Sequence, residues 1–325
     1  MSLRGRRFEM RFDLAPSAAV ASLVLLVGVG LSACGSGVKQ RPPDQRGGVE
    51  PSHPSAAAGV ITVVSSRGRV PLRGHRVDAR PGDLMIRKDD QVAVVSAVTG
   101  QLVDFAATGQ RDGLTSLASV AFDGLSAMSD QVEHIAPVGD GGRVLYVRRR
   151  LHERPLSLHV WYAFAGEALA IESMLSSQSD EPLAAVTLGE EVAWGNVPTW
   201  VSGHGFVREG GDFGGDFIGR DAHGAAYAMC STAGRLMARF RSPALPGYHR
   251  SARTGEQVVS LAARGRTPRR RILLGYRAGS LGHAAMSLPC VPGVPAAAVP
   301  ALAKAAPGAS LELARCTTDG APGAL

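Results

Sequence analysis

The sequence predicts an all-β chain that folds into a large antiparallel β-sandwich. Three observations carry this reading. Short runs of β-branched, aromatic or alternating residues recur about a dozen times between Val60 and Met286. Clusters of Gly, Pro and Asp separate them and supply the turns. Helical periodicity is scarce: only Thr115 to Met128 reads as a helix, and Gly124 weakens it. Consecutive strands without intervening helices favour two stacked antiparallel layers.

Taken from the start, the chain carries Arg4, Arg6, Arg7 and Arg11 against Glu9 and Asp13, and Ala18 to Leu31 is then apolar or small, with Ser22 its single polar member. As a helix those fourteen residues would rise ~21 Å, short of a hydrocarbon core of ~30 Å, so they read as a signal and not as a span. Leu31-Ser32-Ala33-Cys34 resembles the lipobox of bacterial lipoproteins, in which small residues precede a cysteine that becomes the diacylated first residue. Residues 1–33 are therefore the expected signal peptide and Cys34 the expected lipidation site. Several acyl chains hold a protein stably on a bilayer where one does not. The expected partner is thus the membrane, through Cys34, and Gly35 favours the outer membrane in a cell that has one.

Residues 34–59 form a Pro- and Gly-rich disordered linker by composition, with Pro42, Pro43, Pro51, Pro54 and Gly47-Gly48. Strand signals follow at Val60 to Val64, Asp83 to Arg87, Val92 to Val98, Arg143 to Arg148, Leu156 to Phe164, Ala168 to Leu175 and Ala184 to Leu188. They resume at Ala225 to Cys230, Leu236 to Phe240, Gln257 to Ala262, Arg271 to Leu274 and Gly282 to Met286. The clearest lies at Leu156 to Phe164: Leu156, Leu158, Val160, Tyr162 and Phe164 share one face, and Ser157, His159, Trp161 and Ala163 the other. Ala165-Gly166-Glu167 then turns into the next strand as a hairpin. The sandwich domain is expected over 60–289, with an Ala/Pro-rich tail over 290–325.

Gly82-Asp83-Leu84-Met85-Ile86-Arg87 leading to Val92-Ala93-Val94-Val95-Ser96, Leu188-Gly189-Glu190 with Trp194-Gly195, Ser202-Gly203-His204-Gly205-Phe206, and Gly255-Glu256 ahead of Arg270 to Gly282 together resemble a group of myxobacterial-type surface lipoproteins. Their body is similar to the β-supersandwich of galactose-mutarotase-like and polysaccharide-lyase proteins. The resemblance covers about Pro81 to Met286 and implies a supersandwich-like fold. Gly-Glu stands at 189–190 where Gly-Asp is usual, which argues against a role for that carboxylate.

A mutarotase-like reaction would need a general acid and base across an open sheet, and His204 with Glu172 or Glu190 are the candidates. Trp194, Trp200 and His204 are the candidate ligand-binding residues, since sugar rings stack on indole faces; Trp161 reads as core. Asp212, Asp216 and Asp221 near the tandem Gly-Gly-Asp-Phe are calcium candidates only in the sense that carboxylates on Gly turns hold that ion. No metal and no cofactor is expected. Of the three later cysteines, Cys290 with Cys316 is the preferred disulfide and Cys230 the buried free thiol.

Of the 35 basic residues only Lys39, Lys88 and Lys304 are lysines, and loss of the signal lowers the net charge from +7 to +5. That modest, spread excess in an exported chain gives no reason to expect nucleic acid as a partner. The chain also lacks the serine-hydrolase elbow, the zinc-protease helix motif, the phosphate loop and the dinucleotide fingerprint. The expected function is a lipid-anchored envelope protein that binds a carbohydrate or another surface component without turning it over. The alternatives are a carbohydrate-active enzyme, epimerase- or lyase-like, and a structural envelope protein. Cys34→Ser should abolish palmitate incorporation and move the protein from the detergent to the aqueous phase on cloud-point partition; unchanged labelling would remove the anchor.

Overall fold

The computed structural model describes residues 59–291 except 75–76, 124–125, 194–198, 208–210, 223 and 241–250. The signal segment, Cys34 and the linker as far as residue 58 lie outside the described residues, as does the tail from residue 292 with Cys316.

Two antiparallel sheets are built alternately along the chain. The first begins with β1 (Val60–Val63), β2 (Leu84–Lys88), β3 (Gln91–Val95), β4 (Leu102–Ala107), β5 (Ser116–Asp123) and β6 (Ser126–Ala127). The second takes β7 (Asp130–Val138), β8 (Val144–Leu151), β9 (Leu156–Ala165) and β10 (Ala168–Ser177). The chain returns to the first sheet with β11 (Leu183–Ala193), then supplies β12 (Thr199–Val201) and β13 (Gly205–Val207) to the second and β14 (Gly211–Gly215) to the first. β15 (Phe217–Ala222) and β16 (Ala225–Ser231) join the second, β17 (Leu236–Phe240) and β18 (Ser251–Leu261) the first, and β19 (Arg270–Ala278) the second. A single α-helix among the described residues, α1 (Leu281–Met286), follows. The first sheet runs β1-β2-β3-β4-β5-β11-β18-β17-β14 with β6 on β5, and the second β13-β12-β15-β16-β19-β10-β9-β8-β7.

The predicted hairpin is present: Ala165 pairs with Ala168, Phe164 with Leu169 and Leu156 with Ser177. Gly166 takes a φ of 64° at the first loop position, the conformation a two-residue hairpin loop requires there. Alternation then sends Leu158, Val160, Tyr162 and Phe164 into the layer between the sheets, against Phe105, Leu117, Ala121, Val186 and Leu188 of the first sheet. Each such side chain contributes about 1.5–3 kcal/mol on burial. Among the described residues β7 is an outer strand of the second sheet, paired with β8 alone, and it carries Pro137 and a register shift between Val132 and His134.

Two expectations are corrected. Thr115 to Met128 is β5 and β6, not a helix. Leu117 and Ala121 face the inner layer while Ala118, Val120 and Phe122 are buried on the opposite face. A strand covered on both sides loses its alternation and imitates a helical apolar run. Gly282 to Met286 is the body of α1 and not a strand: Ser280 caps it by accepting from the His283 N–H.

The inner layer also holds a fully buried ion pair. The Arg270 Nε lies 2.9 and 3.1 Å from the two Glu190 carboxylate oxygens, and its Nη2 2.8 Å from Oε2. Arg270 begins β19 of the second sheet and Glu190 lies on β11 of the first, so the pair ties the layers together. Removing one partner leaves a buried charge exposed to apolar surroundings, a loss of about 3–5 kcal/mol. Glu190→Leu should therefore lower the urea midpoint sharply, and Glu190→Leu with Arg270→Met should recover most of the loss. A single variant as stable as wild type would contradict this role.

Candidate functional site

The outer face of the second sheet is divided into a covered half and an open half. α1 seats on β15, β16 and β19 through Leu281, Ala284, Ala285 and Leu288, against Ala226, Ala228, Cys230 and Leu273. Two glycines make room for it. A Cβ on Gly219 would fall 2.4 Å from Leu281 Cδ1 and 2.3 Å from the Tyr227 carbonyl, and one on Gly275 2.8 Å from the Ala284 carbonyl. The segment is fastened by a Cys230–Cys290 disulfide, with Cα atoms 6.1 Å apart. This corrects the expected Cys290–Cys316 pair: β16 turns Cys230 to the outer face, where the chain after α1 passes directly over it.

The open half lies over β7 to β10 and carries no helix among the described residues, although its Trp161, Met174 and Glu172 are buried and its Tyr146, His159 and Ser176 are half-buried. Register places Gln131, Arg150, Ser157 and Ser176 side by side in one row across these strands. His134, Arg148, His159 and Met174 form the next row, and Tyr146, Trp161 and Glu172 the third, which continues to Arg271 on β19. Because alternate residues share a face, the three rows extend about 13 Å along the strands.

A hydrogen-bonded chain crosses the rows. The Tyr146 hydroxyl lies 2.7 Å from His159 Nδ1, and His159 Nε2 lies 2.8 Å from the Ser176 hydroxyl. The His159, Tyr146 and Trp161 rings form a triangle: His159 is 6.0 Å from each of the others with planes inclined by 19° and 16°, and Tyr146 is 5.4 Å from Trp161. The Arg269 guanidinium covers Trp161 at 4.4 Å and binds Glu172 at 3.2 Å, with Arg271 3.7 Å from the same carboxylate. Arg269 reaches this position because the chain ahead of β19 pairs with the end of β10: Ser177 N–H donates to the Gly265 carbonyl and Thr267 N–H to that of Leu175.

Burial, reinforced by the charges of Arg148, Arg266 and Arg269, pushes the His159 imidazole down from 6.5 to about 4. The ring is therefore neutral at physiological pH, offering one N–H and one lone pair between two hydroxyls. Such a group can orient a hydroxylated ligand. Beyond the first row the face opens into a hollow of about 360 Å³, lined by Gln131, Arg150, His152, Arg154 and Gln178 among others. Gln178 Nε2 donates to Ser157 Oγ at 2.9 Å and so joins the hollow to that row.

The residues singled out from sequence are dispersed. His204 sits exposed on the β12–β13 turn, its Nε2 3.1 Å from the Gly214 carbonyl and its ring edge-on to Phe213. Trp200 is buried edge-on to Phe206, its centroid 5.0 Å away, so it is no exposed platform. Trp194 lies outside the described residues. Glu190 is enclosed between the sheets with Arg270, whereas Glu172 lies on the outer face of the second sheet, buried beside Arg269. Asp212 pairs with Arg239, Asp216 lies 3.8 Å from Arg235, and Asp221 accepts from the Leu281 N–H. Three carboxylates with three different partners make no shared site, and among the described residues no group of three or more His, Cys, Asp or Glu gathers around a common point. Tyr146, His159 and Ser176 were not read as a site. Their signal was the Ser157-His159-Trp161 face opposite the leucines, which alternation exposes but does not explain.

Unfolded, His159 takes up a proton near pH 6.5; folded, it does so only near 4. Its contribution to stability is therefore intact above about 6.5 and is lost as pH falls toward 4, by about 3 kcal/mol in all. Urea midpoints at pH 7 and pH 4.5 should fall further for wild type than for His159→Asn. Equal falls would mean that the ring titrates as it does in water.

No known family matches the chain, and no curated protein matches it. Among solved structures it is similar to a galactose mutarotase-like protein from Lactobacillus casei, at 10% identity and a TM-score of 0.44 over 60% of this chain and 100% of that one. A putative aldose 1-epimerase from Escherichia coli K12 gives 11% identity and a TM-score of 0.42 over 60% of this chain and 98% of that one. An α-galactosidase of family GH36 from Geobacillus stearothermophilus gives 9% and 0.41, over 63% of this chain and 41% of the enzyme.

Proposed function

We propose that the chain is a lipid-anchored envelope protein that binds a carbohydrate on the open half of its second sheet and does not turn it over. The observation that carries this reading is the half-buried Tyr146–His159–Ser176 chain beside the buried Trp161 ring, on the half of the face that α1 does not cover. A sugar offers hydroxyls in fixed directions and apolar C–H edges. Hydroxyls, a neutral imidazole, amides and guanidinium planes are the matching partners. Binding is favoured over turnover because Glu172, the carboxylate nearest the ring stack, is bound by Arg269 and Arg271 and not left to move protons. Cys34 supplies the anchor, and residues 35–59 supply the spacer that holds the face away from the bilayer.

A glycan array probed with the mature chain, made without its acyl group, tests the reading. Wild type should bind selectively; Tyr146→Phe and His159→Ala should weaken the same glycans by about tenfold or more, while His204→Ala should match wild type. Absence of binding, or equal loss in the His204 variant, would overturn this site. Anomer exchange or chain cleavage of a bound glycan, followed by NMR, would replace binding with catalysis.

A further inference from the structure

We infer that the ligand of this face is an acidic glycan, and that the hollow at the β8–β9 turn holds one of its carboxylate, sulfate or phosphate groups. The inference rests on the carbohydrate reading above and adds the charge of the ligand. At about 360 Å³ the hollow is at the small end for ligand sites, room for one sugar ring and not for a long apolar group. Its walls are polar: Gln131 and Gln178 contribute amides, and Arg150 and Arg154 guanidiniums.

The two arginines differ in what already holds them. Arg154 is fixed by Asp123 at 3.0 Å and by the Ala184 carbonyl at 3.2 Å. Arg150 is exposed and makes no ion pair or side-chain hydrogen bond with any described residue. Its cross-strand neighbours on that face, Gln131 and Ser157, are neutral. An unpaired guanidinium beside amide donors matches an oxyanion bidentately. The one carboxylate in the wall, Glu153, is turned to Ser129, accepting from its N–H at 3.0 Å and from its hydroxyl. Further along, Arg148, Arg266 and Arg269 lie near His159, Arg148 being paired with Glu133 at 3.1 Å and Arg269 with Glu172 at 3.2 Å. A neutral sugar would meet these guanidiniums through its hydroxyls alone, whereas an anionic group adds the stronger charge-assisted pair, and a flat bilayer would not enter a recess one ring wide.

The test uses the mature chain without its acyl group. Its probes are a set of oligogalacturonates, their methyl esters, sulfated and phosphorylated oligosaccharides, neutral oligosaccharides of equal length, and phosphatidylglycerol vesicles. At least one acidic oligosaccharide should bind at least about tenfold more tightly than its neutral or esterified counterpart, with affinity falling as salt rises. Arg150→Gln should remove that preference, and Arg150→Lys should keep part of it. Arg150 is exposed and unpaired, so both variants should melt with wild type. Equal affinity for acidic and neutral glycans would overturn the acidic ligand and leave the carbohydrate reading standing. Binding to vesicles alone, or to none of the probes, would overturn both.

Discussion

Long donors from one sheet reach acceptors on the other, and the arrangement of this molecule depends on that crossing. Arg270 grips Glu190, Arg149 reaches the Ser119 carbonyl, and Arg220 the Gly113 carbonyl. Tyr162, Tyr227 and Tyr276 do the same toward Gly100, Phe105 and Arg111. Every donor named here lies on the second sheet and every acceptor on the first or in its loops. Apolar packing is non-directional and tolerates sliding; a buried donor tolerates only the acceptor in front of it. The leucines and valines of the inner layer thus supply the attraction between the sheets, and the arginines and tyrosines fix their registration. Asp112 shows the cost of such a design. Burial and the neighbouring charge of Asp104 push its carboxyl well above the usual range, beside the Tyr227 hydroxyl that it meets.

With the inner face committed to this lattice, only the outer faces remain for other contacts, and one half of the second sheet's outer face keeps Tyr146, His159 and Ser176 half-exposed. The other half is closed by a six-residue helix. A helix that short has little stability of its own. It holds its place through two glycines that let it approach the sheet, a serine cap, and the disulfide behind it. The open half gains from this cover, because β19 is held between the two regions and delivers Arg269 and Arg271 at its leading end.

The fold was legible where a strand has one dry and one wet or mixed face. β9 announced itself by alternation, and β16 and β17 by short apolar runs bounded by Gly. β5 was illegible because both its faces are covered, and α1 because a two-turn element follows a strand without change of composition. β4, β7 and the short strands β12 to β15 gave no signal, since their pairing partners and not their own residues define them. The site was hidden for a related reason. His204 and Trp200 stand together in sequence, yet the fold separates an exposed turn from a buried ring. Tyr146, His159 and Ser176 lie on three strands and meet only when the register is known. Glu190, a candidate acid or base by sequence, is enclosed between the sheets and held there by Arg270.

The edge of the second sheet bears on what surrounds it. β7 borders the open face, and a bare strand there would present unpaired amides and carbonyls to any passing chain. Pro137 removes one donor from that border, and the irregularity at Val132–His134 breaks the repeat that a foreign strand would need to match. A foreign strand therefore finds on β7 a border that it cannot match in register along its whole length.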